Sequence, residues 1–251
     1  MKRRLGEGGV ALGTMVFGFP SGNLLRAAAS AGAEFVVLDQ EHTGFGTDTI
    51  RELLLAARST TLMPFVRVPA VEYQLIARVL DVGAMGVMVP MVSSVEQAEA
   101  IVAAVRYPPR GRRGFGLMDT ADRDPAGAAE TMRRAEEAAL AIAQIETVEG
   151  VEAAAGIAAV DGIDSLWIGQ SDLSNSLGVP GDFEHPAFHE AVATVREACD
   201  RHGKALAIMA TSVEDGRARL AQGFRLVAYS GDLRIYTEAL RAGLDTLRAT
   251  A

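Results

Sequence analysis

Glu146 and Asp172 each close a short apolar run, at 141–146 and 165–172, and one helix-sized segment separates the two runs. If both are parallel strands of one sheet, the two carboxylates converge where the following loops begin. Paired oxygen ligands at such a rim suit a hard divalent cation. Other polar residues sit in equivalent places. The run at 35–39 ends in Asp39-Gln40-Glu41-His42, the next carries Arg67 at its end, Gln144 precedes Glu146 by two, and Gly169 leads into Gln170-Ser171-Asp172. This supplies a general-base candidate in His42 and a guanidinium for an anionic substrate in Arg67. Each residue alone has a plainer role available: His42 as a hydrogen-bonded loop residue, Arg67 as a surface ion pair. Asp172 would then cap a turn at 173–177, and Glu146 would be a first-turn acid, a job Glu149 fills better. Their joint position at strand ends favours chemistry, because a purely structural set would scatter.

The chain holds two lysines, Lys2 in the N-terminal tail and Lys204 just before the seventh apolar run. Lys204 thus falls at the end of the strands remote from the acids, and Lys2 lies outside the strands. A Schiff-base route to a carbanion needs a lysine amine in the pocket, so that route is closed and metal stabilisation of an enolate remains. The three further histidines, His185, His189 and His202, lie around one helical segment and are expected to face solvent.

These residues need a scaffold that sets strand ends side by side. Eight strand candidates occur, at 10–17, 35–39, 63–68, 86–90, 140–146, 165–169, 205–209 and 226–230. The clearest helical patterns between and after them cover 23–30, 48–60, 72–82, 94–105, 148–159, 186–202, 213–222 and 233–246. Eight strand–helix units in 251 residues have the rhythm of a single-domain (β/α)₈ TIM barrel spanning 1–251, in which catalytic groups gather at strand C-termini. A doubly wound open sheet is the runner-up. It lacks support because no Gly-x-Gly-x-x-Gly turn follows the first strand.

The bulk numbers fit a small soluble substrate. Hydrophobic residues make up 49% of the chain, enough for one continuous core. A net charge of −8, from 24 basic and 32 acidic residues, argues against nucleic acid and anionic membrane as partners. The basic start Met1-Lys2-Arg3-Arg4 precedes a Gly-rich stretch instead of an apolar core, so it reads as no export signal, and no apolar run reaches membrane-spanning length. Lone Cys199 reads as a small buried side chain in a reducing compartment, and the cytoplasm is the expected location.

One irregular stretch, 106–116 with a polar continuation at 119–125, interrupts the alternation with Pro, Gly and Arg. Two roles remain open for it: a solvated linker, or a lid or subunit contact over the active face whose arginines recognise an anion.

Five ordered motifs resemble one family: Asp39-Gln40-Glu41-His42, Arg67-Val68-Pro69, the stretch 80–90 from Leu80-Asp81-Val82-Gly83 to Val89-Pro90, Gln144-Ile145-Glu146-Thr147, and Gly169-Gln170-Ser171-Asp172-Leu173-Ser174. They are similar to the HpcH/HpaI metal-dependent, class II pyruvate aldolases, collinearly from about Leu12 to Leu247. The resemblance implies a (β/α)₈ barrel assembled as a trimer or hexamer, with a swapped C-terminal helix. It implies reversible cleavage of a 4-hydroxy-2-oxo acid to pyruvate and an aldehyde through a metal-bound pyruvate enolate, with no organic cofactor. Glu146 and Asp172 would ligate Mg²⁺, Mn²⁺ or Co²⁺. Arg67, Gln144, Gly169, Ser171 and Asp172 would bind substrate, with Arg67 at the keto oxygen and the N–H groups near Ser171 at the carboxylate. His42 would be the acid/base, oriented by Asp81 of a neighbouring subunit, with Asp39 and Glu41 supporting these groups from behind.

The chain departs from that pattern twice. Residues 115–120 lack the small, basic stretch of many relatives, and Phe17-Gly18-Phe19-Pro20 stands where relatives often carry a tryptophan. Both leave the aldehyde open. Alternatives that keep the enolate are oxaloacetate decarboxylation and cleavage of a malyl or citramalyl thioester; a non-catalytic barrel binding a keto acid or a protein is the third.

Overall fold

A computed structural model of the chain describes residues 1–116, 125 and 127–250. After a short helix α1 (Lys2–Gly6), strands and helices alternate: β1 (Ala11–Val16), α2 (Gly22–Ser30), β2 (Phe35–Asp39), α3 (Thr47–Ala57), β3 (Met63–Arg67), α4 (Tyr73–Asp81), β4 (Gly86–Val89) and α5 (Val95–Val105). The second half runs α6 (Ala128–Ala138), β5 (Leu140–Ile145), α7 (Val148–Glu152), α8 (Ala154–Ala159), β6 (Ser165–Ile168), α9 (Gln170–Ser176), α10 (Pro186–His202), β7 (Ala205–Ala210), α11 (Val213–Ala221), β8 (Leu226–Gly231) and α12 (Asp232–Arg248). All eight strands pair in parallel, and β8 closes on β1. The fold is the expected (β/α)₈ barrel.

Strand periodicity divides the apolar residues into two layers. Phe35, Val37, Phe65, Met88, Leu140, Ile142 and Trp167 fill the barrel interior, and Leu5 of α1 joins them. Val36, Leu38, Val66, Ala141, Ala143 and Ile145 face the helices instead. The same alternation continues upward: after Leu140 and Ile142 the next inward position of β5 is Gln144, after Val37 that of β2 is Asp39, and after Phe65 that of β3 is Arg67. The polar rim is thus the top layer of the core.

Three helices go beyond the sequence patterns. Lys2 is no tail residue: it opens α1 and pairs with Asp164 at 2.9 Å. Helix α6 follows the irregular stretch, and its apolar pattern is weak because Thr131 is its one buried residue. Helix α9 starts at Gln170, ahead of the turn expected at 173–177. The segment 148–159 is two helices meeting at Ala153, not one; added Cβ atoms at Gly150 and Gly156 would meet Val92 O and Val95 Cγ2 at 2.8 and 2.6 Å, so both glycines allow close packing against the segment 92–95.

The stretch 106–116 does not lie over the active face. It follows a helix, not a strand, and so leaves from the N-terminal end of the barrel. There the buried Arg106 guanidinium donates to the carbonyls of Glu136, Ala139 and Gly162 and to Asp164, at 3.0 to 3.1 Å. The segment then runs along α4, where Gly114 N–H donates to the Tyr73 hydroxyl at 2.8 Å. The continuation at 119–124 lies outside the described residues.

Lys204 also sits at the N-terminal end, donating to Ile163 O at 2.8 Å. Cys199 is fully buried, and burial pushes its thiol up to about 12. Two histidines of α10 are exposed, but His185 is half-buried and caps the helix, its Nδ1 accepting from Ala187 N–H at 3.2 Å. No helix among the described residues is long and apolar enough to cross a membrane.

Candidate active site

At the C-terminal rim Glu146 follows β5, almost wholly buried at 1% exposure. Its Oε1 accepts from Met91 N–H at 2.7 Å, and its Oε2 accepts from the Gln144 carboxamide. Burial raises the Glu146 pKa; those two hydrogen bonds oppose the shift, and the Asp172 charge adds to it. Met91 makes its contact from the left-handed region, φ 56°, a conformation that costs a non-glycine residue about 1 kcal/mol or more. Asp172 lies in the first turn of α9 and is exposed at the pocket mouth.

Gly169 joins these acids. An added Cβ there would overlap the Glu146 carboxylate and come within 2.7 Å of Glu146 Cβ and 2.9 Å of Gln144 Nε2. The end of β6 therefore passes against Glu146 in a way that any side chain would block.

Arg67 is the other pole. Its Nε donates to Asp39 Oδ1 at 2.6 Å and lies 3.3 Å from Glu41 Oε2. Burial works against its charge, but the Asp39 bond together with Asp39, Glu41 and Glu146 more than offsets it and raises the pKa. Asp39 also accepts the N–H groups of Glu41 and His42, at 3.1 and 3.2 Å, so one carboxylate shapes the turn that carries His42. Burial raises the Glu41 pKa against the opposing pull of Arg67. His42 stands half-exposed, its Nε2 3.6 Å from Glu41 Oε2.

A cavity of about 180 Å³ opens between these groups, with His42, Arg67, Gln144, Ser171 and Asp172 on its polar side. Met15, Phe17, Trp167 and Met209 form the apolar side. Larger hollows occur elsewhere, one of about 690 Å³ between β1, α2 and α12, but Asp232 is the one acid among its described lining residues. Asp81 is not at this rim within one chain: it pairs with Arg113 at 2.8 Å. Phe17, Met91 and Gln170 are contributions that residue types alone did not assign. Met91 acts through its backbone, which leaves no mark in a sequence.

The oxygen donors at this rim are of the kind a divalent cation takes. Glu146 and Asp172 offer carboxylate oxygens, and the buried Gln144 Oε1 and Gln170 Oε1 have no hydrogen-bond partner. All are hard oxygen donors, as Mg²⁺ or Mn²⁺ prefers, and neither His nor Cys is needed. Among the described residues no three His, Cys, Asp or Glu side chains form a closed cage. The donors that fit a cation are therefore Glu146 and Asp172 together with the amide oxygens of Gln144 and Gln170.

Comparisons with known proteins show the family to which the chain belongs. The model of the HpcH/HpaI aldolase/citrate lyase family matches residues 17–239. A hydroxypyruvate/pyruvate aldolase of Delftia acidovorans is 36% identical over 233 residues, covering 93% of this chain and 87% of that protein. A 5-keto-4-deoxy-D-glucarate aldolase of Shigella dysenteriae is 34% identical over 218 residues, covering 87% and 85%. The crystal structure of an HpcH/HpaI aldolase from Desulfitobacterium hafniense DCB-2 matches 99% of this chain and 96% of that one, with TM-score 0.92 at 31% identity. Because the family model matches residues 17–239 and the two aldolases are 34% and 36% identical over most of both chains, the chain belongs to the HpcH/HpaI aldolase/citrate lyase family of carbon–carbon lyases.

Proposed function

We propose that this protein is a divalent-cation-dependent pyruvate aldolase that reversibly cleaves a 4-hydroxy-2-oxo acid to pyruvate and an aldehyde. The observation that carries the reading is the convergence of His42, Arg67, Gln144 and Asp172 on one small cavity, with Glu146 hydrogen-bonded to Gln144 beside it. Glu146 and Asp172 would hold the cation, Mg²⁺, Mn²⁺ or Co²⁺, which when bound supplies Lewis-acid polarisation of the substrate's keto group.

The chain's own residues would act as follows. Arg67 donates to the C2 oxygen and stabilises the charge that grows there; held by Asp39, its guanidinium is already aimed. Gln144 packs against the same substrate. The N–H groups near Gly169, Ser171 and Asp172, at the start of α9, receive the carboxylate. His42 accepts the proton of the C4 hydroxyl as the C3–C4 bond breaks, the electron pair of that bond passing to C3, C2 and the C2 oxygen. Return of a proton to C3 gives pyruvate. A cavity of about 180 Å³ suits a small oxo acid and leaves little room for a thioester's nucleotide.

Assembly belongs to the same reading. Helix α12 touches the barrel through β1 and β8 and leaves Leu233, Ile235, Tyr236, Leu240, Leu244 and Leu247 exposed beside an apolar groove. A trimer or hexamer that exchanges this helix would cover both, and a neighbour's Asp81 would then reach His42. Lone, buried Cys199 fits work in the reducing cytoplasm.

The test is pyruvate release from a 4-hydroxy-2-oxo acid by Mn²⁺-loaded protein, with oxaloacetate offered in parallel. Release abolished by EDTA and restored by Mn²⁺ is expected. Release indifferent to EDTA, or from oxaloacetate alone, overturns the reading.

A further inference from the structure

Phe17 is placed by contacts that belong to the far end of the chain. It follows β1, lines the cavity, and its ring centroid lies 5.9 Å from Arg67 Cζ. Asp232, the first residue of α12, is 5% exposed and spends its carboxylate on this loop. Oδ1 accepts Phe17 N–H at 2.9 Å and Gly18 N–H at 3.2 Å; Oδ2 accepts Gly18 N–H at 3.1 Å and Phe19 N–H at 2.7 Å. Two residues beside it complete the clamp. A Cβ at Gly231 would come within 2.6 Å of Phe17 Cδ2, so β8 backs directly onto the ring. Tyr236, one turn into α12, meets Phe19 edge to face at 5.6 Å. A carboxylate receiving three consecutive backbone N–H groups fixes their loop far more firmly than a single ordinary hydrogen bond does.

The position of Phe17 gives that rigidity a purpose. Glu146 and the start of α9 follow β5 and β6, whereas Phe17 follows β1, across the closed barrel from β5. His42 follows β2, beside β1. A substrate held by its oxo-acid end at β5 and β6 points its other end toward β1 and β2, where His42 and Phe17 stand.

We propose that Asp232 is a positioning residue that holds Phe17 as the wall of the aldehyde half of the pocket, and that this clamp sets which aldehydes the site accepts. The proposal rests on the pyruvate-aldolase reading. With the wall fixed, short aldehydes are favoured over bulky or branched ones; with it loosened or removed, that preference relaxes.

The test is a double-mutant cycle in the direction of aldol addition, using pyruvate, Mn²⁺ and a two-carbon and a branched aldehyde. Asp232→Asn and Phe17→Ala should each raise the branched-to-short ratio of kcat/KM by about tenfold, the usual weight of a pocket contact, mostly through the aldehyde KM. The double variant should match Phe17→Ala alone, because Asp232 acts through the ring. Gly231→Ala, which pushes the ring from behind and leaves the carboxylate bonds intact, should shift the same ratio even if Asp232→Asn folds poorly. An unchanged ratio, or additive losses with every aldehyde falling by one common factor, overturns the clamp. Wild-type protein that neither condenses pyruvate nor exchanges its methyl protons with D₂O instead overturns the aldolase reading beneath it.

Discussion

Asp39 and Arg67 form a pair at the top of the barrel core, Oδ1 to Nε 2.6 Å, with Asp39 wholly buried and Arg67 8% exposed. Parallel register sets them on adjacent strands, where Asp39 of β2 pairs with Arg67 of β3. Removing one partner strands the other as a buried charge, which costs about 3–5 kcal/mol. Asp39→Ala is therefore expected to lower the unfolding midpoint strongly and to depress kcat, because the turn carrying His42 loses its acceptor too. A midpoint within a degree or two of wild type sinks the claim that this pair is structural as well as functional.

Cation binding should follow the two acids and pH together. Burial holds the Glu146 carboxyl above its ordinary pKa, and only its ionised form binds a cation. Protons therefore compete from higher pH than for a free carboxylate, so affinity falls as the solution is acidified. Calorimetric titration with Mn²⁺ should show that fall, and Glu146→Gln and Asp172→Asn should each abolish measurable binding. Undiminished binding by either variant removes that acid from the site.

His42 carries a separate prediction. Its replacement by Ala should reduce aldol cleavage by about two to four orders of magnitude, the range for losing a general acid/base, while Mn²⁺ affinity persists. Cleavage within a few-fold of wild type would take His42 out of the mechanism.

Much of this was legible in the chain because strand period and strand count are local signals. Every strand lies within one residue of the run that announces it, and Asp39, Arg67 and Gln144 fall on one rim because each occupies the next inward position above an apolar residue, with Glu146 two residues beyond Gln144. The helices were harder. Helix α6 presents one buried residue, and α1 is short, so neither has the apolar stripe that periodicity detects. The length of the stretch 106–116 leaves linker, lid and subunit contact all open, whereas the connection's position after a helix decides which end of the barrel it leaves from. Met91 and Asp232 were invisible for another reason. One acts through its backbone N–H and the other through a contact 215 residues away, and neither leaves a trace in spacing.

Gly169 tests whether the site is as tightly built as its contacts imply. Placed at the end of β6, it leaves the Glu146 carboxylate nowhere to retreat: a methyl there overlaps the Glu146 carboxylate and lies 2.9 Å from Gln144 Nε2. Glu146 is pinned from its other side by Met91 N–H, so relief requires breaking one of its two hydrogen bonds. Gly169→Ala should therefore weaken Mn²⁺ binding and cut kcat by at least about tenfold, while costing stability in the about 1–3 kcal/mol range of an overpacked core. Both effects come from one methyl group, so they should appear together in a single preparation measured by calorimetry and thermal unfolding. A Gly169→Ala protein with wild-type cation affinity would show that Glu146 has room to move, and that the acid is not held in place by the neighbouring strand.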